Sequence, residues 1–168
     1  LTSCNDYLDK EPESNVTPAS FFTSADDLAA YTVNLYGVLT SIGPGSYGMS
    51  TFAYDNDTDN QAGTGYSSRW VPGNWKVGQS GGAWDFGNIR SVNYFLDQVL
   101  PKFEAKQISG AEAQVRHYIG EAYFLRAYLY LDKLQSLGDF PIVLNALPDD
   151  KETLVASSKR QPRYKVAQ

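Results

Sequence analysis

A chain of 168 residues with 42% hydrophobic residues is long enough for one domain with a real core. Its formal net charge of −5 excludes the basic footprint that nucleic acid or an anionic lipid surface requires. One cysteine excludes an internal disulfide, one histidine excludes a His-based metal cluster, and no run of about twenty apolar residues is present to span a membrane.

At the N-terminus, Leu1-Thr2-Ser3 precedes Cys4, the sole cysteine. An aliphatic residue, two small residues and then a cysteine is the pattern cut and acylated in bacterial lipoprotein signal peptides, so the chain is expected to begin inside a trimmed signal. Each buried CH₂ of an acyl chain is worth about 0.8 kcal/mol, and two or more chains anchor a protein stably. The alternative is an ordinary free thiol near a terminus. Residues 5–16, polar and acidic around Asp6, Asp9 and Glu11, read as a tether between lipid and domain.

The first helix is expected over about residues 24–40. Ser24-Ala25-Asp26-Asp27 has the form of a capping box, and Leu28, Tyr31, Leu35 and Val38 follow at spacings of three and four. Thr17-Pro18 marks a short preceding turn, and Gly43-Pro44-Gly45 ends the block. A second helix is expected from about Trp84 to Phe103, with Trp84, Ile89, Val92, Phe95, Leu96, Val99 and Leu100 on one broad apolar face. A third opens with another capping-box pattern at Ser109-Gly110-Ala111-Glu112 and stops at Gly138. It carries two apolar stripes, Tyr118, Ala122, Leu125 and Leu129, and Tyr123, Ala127, Tyr130, Leu134 and Leu137, and a helix apolar on two sides is expected to pack on both. Phe140-Pro141-Ile142-Val143-Leu144 reads as a short extended run, and residues 151–168 as a linker leading into another helix.

Residues 41–83 differ from the rest. They are rich in Gly, Ser, Asn, Asp and aromatics and show little periodicity. A long segment of this kind is usually functional or disordered, and its Tyr and Trp content argues against plain disorder. The ligand-binding candidates are Tyr66, Arg69, Trp70, Asn74 and Trp75. A sugar ring presents a C–H face that suits aromatic planes and a hydroxyl edge that suits Arg and Asn. The competing reading is that Trp70 or Trp75 plugs the segment into the body. Asp55, Asp57 and Asp59 alternate like the start of a calcium loop, but Tyr66 stands where the bidentate Glu belongs, which favours a solvated polar loop and no metal. Gly43-Pro44-Gly45-Ser46-Tyr47-Gly48 fits a dinucleotide fingerprint in letters only, because it follows a helix and holds a proline. His117 reads as a surface or interhelical residue, and no cofactor is implied.

Three stretches carry a resemblance. Cys4-Asn5-Asp6-Tyr7-Leu8-Asp9 with Pro12, Phe21-Phe22 and the helix through Tyr36 form the first. Trp84, Ile89-Arg90 and Asn93-Tyr94-Phe95-Leu96 form the second. The third runs from Gly120-Glu121-Ala122-Tyr123-Phe124-Leu125-Arg126-Ala127-Tyr128 through Leu134-Gln135 to Gly138-Asp139-Phe140-Pro141-Ile142-Val143. In content and spacing they resemble the N-terminal portion of the RagB/SusD family of outer-membrane nutrient-binding lipoproteins, with Ser158 to Arg163 fitting the lead into the next helix. Family members are much longer. The resemblance therefore implies a fragment of a larger all-α domain: a mainly α, tetratricopeptide-like superhelix with long irregular loops. The SusD-like helical region is expected over 17–150 and a linker over 151–168. It further implies a lipid-anchored protein on the outer membrane, facing the exterior, that binds glycan and sits on a SusC-like TonB-dependent transporter. It implies a binding protein and not an enzyme, with Glu121 and Arg126 as buried or interhelical polar groups. An adaptor of the transporter complex, handling cargo such as peptides, is the alternative function.

Overall fold

The computed structural model describes residues 20–39, 71–74, 76 and 83–168. These form α1 (Ala25–Leu35) with a 3-10 turn (Tyr36–Val38), α2 (Gly87–Glu104), α3 (Glu112–Leu137), α4 (Lys151–Ser157) and α5 (Arg163–Val166). The class is mainly α, as expected, and among the described residues the only β pairing is two isolated bridges. No described helix is long and apolar enough to cross a membrane.

The capping box before α1 is present. Asp27 Oδ2 accepts from the backbone N–H of Ser24 and of Thr23, both at 2.9 Å, and Ser24 Oγ accepts from Asp27 N at 3.2 Å. Ala25, Leu28, Thr32 and Leu35, at helical spacing, are the buried positions of α1. The buried Thr32 hydroxyl donates to Ala29 O at 3.1 Å. Phe22 enters the core just before the cap with φ +61°, a backbone state that costs a bulky residue about 1–3 kcal/mol. Its ring recovers that cost edge-on against Tyr31 at 5.2 Å and Phe95 at 5.6 Å.

The second helix starts at Gly87, later than its apolar pattern indicates. Trp84 stands outside it, because Asp85 Oδ1 accepts from Gly87 N at 2.9 Å and turns the chain first. Ser109 does not cap α3. Its N–H donates to Thr23 O at 2.8 Å, its carbonyl accepts from Ala25 N at 2.9 Å and its hydroxyl donates to Thr23 O at 3.1 Å. The residues that resemble a second capping box instead tie the start of α3 to the start of α1. Gly110 is required there, with φ +111° and a Cβ position 2.8 Å from Ala25 Cβ.

Helix α3 packs on both α1 and α2. Val115, Ile119, Ala122, Leu125, Leu129 and Tyr130 are its buried apolar residues, and they form one face. Of the second expected stripe, Tyr130 is buried and Leu137 packs on the core, while Tyr123 and Ala127 are exposed. Tyr123 is 43% exposed, and Phe124 and Leu131, on the same outer side, are 61% and 50% exposed. Gly138 ends the helix at φ +75°.

Candidate functional site

After Phe140, which bridges to Gln161, residues 141–147 lie in no helix or strand, so their backbone groups need other partners. Side chains from two helices supply them. Tyr130 of α3 accepts from Val143 N at 2.7 Å and donates to Val143 O at 2.8 Å. The Asn93 amide of α2 donates to Val143 O at 2.8 Å and Asn145 O at 3.3 Å. Asp97 accepts from Ala146 N at 2.6 Å and from the Asn145 side chain at 2.9 Å. Arg90 donates to Leu147 O. Arg90, Asn93 and Asp97 are three and four residues apart, so one face of α2 holds Val143, Asn145, Ala146 and Leu147.

Arg126 completes this clamp by donating to Asn93 Oδ1 at 3.2 Å and to Leu144 O at 3.1 Å. It is an interhelical polar group, as the sequence implies. Burial pushes the Tyr130 hydroxyl above its ordinary pKa, while the hydrogen bond with Val143 and the Arg126 charge pull the other way. Glu121 is the second interhelical group. Its Oε1 accepts from His117 Nε2 at 2.8 Å, and its buried Oε2 has no hydrogen-bond partner among the described residues. Contact with this carboxylate, then burial, then the charges of Glu121 and Tyr118 raise the pKa of Tyr36. His117 is surface-exposed and serves this helix-to-turn contact.

Phe140 is fully buried and gathers an aromatic cluster. Trp84 stacks on it at 5.4 Å and Phe86 at 4.8 Å, while Tyr130 meets it edge-on at 6.1 Å. The Arg160 guanidinium lies 5.5 Å from the Trp84 ring centre. Next to this cluster is a cavity of about 240 Å³, with Phe86 and Ile89 of α2, Val143 and Leu147 of the clamped run, and Leu154 and Ser157 of α4 in its wall.

Of the expected ligand-binding residues, Asn74 is described. It closes an exposed turn, its N–H donating to Val71 O at 3.1 Å, with Pro72 and then Gly73 at φ +84° in the positions a type II turn requires. Tyr66, Arg69, Trp70 and Trp75 lie outside the described residues, as do Cys4, the acidic triplet and the glycine-rich hexapeptide. Sequence reasoning missed the clamp. Its signal was Asn93 standing in an otherwise apolar stripe, one turn before Asp97.

No curated protein and no solved structure matches the chain. Residues 6–162 match the model of the SusD-like family described as starch-binding and associating with the outer membrane. The clamp, the aromatic cluster and all three main helices fall inside that match. The chain belongs to the SusD-like family.

Proposed function

We propose that this protein is a cell-surface lipoprotein subunit that binds glycan and passes it to a SusC-like TonB-dependent outer-membrane transporter. The observation that carries the reading is the family match over nearly the whole chain. Cys4 carries the lipid, residues 5–16 tether the domain, and the helices belong to a tetratricopeptide-like superhelix. The protein works by capture and transfer, not by bond cleavage.

The segment between α1 and α2 supplies the ligand contacts, with Trp70, Trp75 and Tyr66 for sugar faces and Arg69 and Asn74 for hydroxyl edges. Two features support this. The segment combines aromatics with hydrogen-bonding side chains, as carbohydrate recognition requires. Its described flanks are held to the body, one through the contact of Tyr36 with Glu121 and the other through the stacking of Trp84 on Phe140. An adaptor role with peptide cargo is the second reading, favoured by the exposed Tyr123, Phe124 and Leu131 on α3.

Calorimetric titration of the protein, recloned to begin after Cys4, against starch and a panel of other polysaccharides tests the first reading. Binding to one glycan class is expected. Absence of binding to every glycan overturns it and leaves the adaptor role.

A further inference from the structure

The chain between Leu147 and Gln161 is fastened at both ends and loose between them. At the incoming end, Arg90 donates to Leu147 O and Ala146 N donates to Asp97 at 2.6 Å. At the outgoing end, Phe140 and Gln161 exchange two backbone hydrogen bonds of 3.2 and 3.0 Å, and Arg163 N donates to Asp139 Oδ1 at 2.9 Å.

Between these points α4 has seven residues, none of them buried. Leu154 and Val155 are 43% and 63% exposed. Its side-chain hydrogen bonds are local: Asp150 accepts from Thr153 N at 2.9 Å and Thr153 Oγ1 at 2.6 Å at its start, and Ser158 Oγ donates to Val155 O at 2.7 Å at its end. A helix shorter than about 12–15 residues does not hold itself together in water and needs an apolar face packed on something. Beneath α4 the packing is incomplete, because the cavity of about 240 Å³ separates Leu154 and Ser157 from Phe86 and Ile89. The cavity is open to solvent on one side, so the side chains of α4 that face it lack protein packing partners there.

We propose that α4 is a hinged flap over this cavity. It opens by local unfolding about residues 148–150 and 158–160 while the clamp at 143–147 and the bridge at 161 stay closed. Opening uncovers the apolar wall of Phe86, Ile89 and Val143, with Arg90 and Asn145 at its edge.

Hydrogen exchange of the 168-residue chain, followed by mass spectrometry, tests this. The hydrogen-bonded amides of Leu154 and Ser158 are expected to exchange at least about 100-fold faster than those of Leu125 and Leu129 in α3, while Ala146 and Gln161 stay slow. Exchange of α4 only at the rate of global unfolding overturns the flap. So does exchange of Ala146 and Gln161 as fast as α4, because the whole run would then detach together. Ser157→Leu adds apolar atoms to the cavity wall. It is expected to slow α4 exchange about tenfold with α3 unchanged, and an unchanged α4 rate shows that the cavity does not control the flap.

Discussion

Asn93 is fully buried in a stripe where Val92, Phe95, Leu96 and Val99 are also buried, and an apolar residue there would be simpler to desolvate. It is retained in a position where all its hydrogen-bonding groups are used. Its amide N–H groups reach Val143 and Asn145, and its oxygen accepts from Arg126. Asn93→Leu keeps the number of side-chain heavy atoms but removes the donor to the Val143 and Asn145 carbonyls and the acceptor for Arg126. A loss of about 2–3 kcal/mol is expected in urea unfolding. A loss below about 0.5 kcal/mol, the scale of an ordinary surface change, would show that the clamp is not a stabilising element. Gly110 is constrained in another way. Gly110→Ala places a Cβ 2.8 Å from Ala25 Cβ at φ +111°. The backbone strain alone is worth about 1–3 kcal/mol, so a lower melting temperature is expected, with the separation of α1 from the start of α3 visible as faster exchange at Ala25 N.

Among the elements, α1 is the clearest case of local chemistry deciding a boundary. Removing the Ser24 cap as Ser24→Ala is expected to cost about 1 kcal/mol in the same urea assay. The partner residue adds a pH dependence. Burial by itself would raise the Asp27 pKa, but the hydrogen bonds from Thr23 and Ser24 outweigh it and hold the value below the ordinary 3.8. A carboxylate with a lowered folded value stabilises fully above its unfolded pKa, and that contribution is lost as pH falls through the folded one. Wild type is therefore expected to exceed Asp27→Asn in stability at about pH 5, with the gap narrowing as pH falls below the ordinary carboxylate value and through the lowered folded one. A gap independent of pH would mean that the carboxylate charge plays no part. The start of α3 carries the same letters as a cap with a different outcome. Ser109 meets Thr23, eighty-six residues away in sequence, and its hydroxyl goes to that contact.

At the scale of the whole molecule, the proposed glycan role makes one prediction that does not depend on the clamp. Trp70→Ala combined with Trp75→Ala is expected to lower polysaccharide affinity by about 10-fold or more, since one aromatic contact is typically worth about 1 kcal/mol or more. The urea midpoint is expected to stay unchanged. Equal affinity in a folded double variant would remove both rings from the binding site. A lower midpoint would identify them as plugs that hold the segment to the body.

The helices and their apolar faces were legible in the sequence because periodicity and caps are written in residues three and four apart. The family was legible for a similar reason, since its longest resemblance, Gly120 to Val143, is a continuous stretch. Helix α3 marks the limit of such reading. Its sequence shows two apolar stripes, but a stripe does not state whether another element is there to cover it, and Tyr123 and Ala127 of the second stripe remain exposed. The role of Ser109 and the clamp on residues 143–147 were likewise decided in three dimensions. Each depends on a polar group choosing among partners that the chain brings close only after folding, from Thr23 for Ser109 to Asn93 and Asp97 for the extended run. The sequence alone determined the three main helices and the core faces of α1 and α2. Tertiary structure decided where the polar groups are spent, because an unmade hydrogen bond in the interior costs more than local preference supplies.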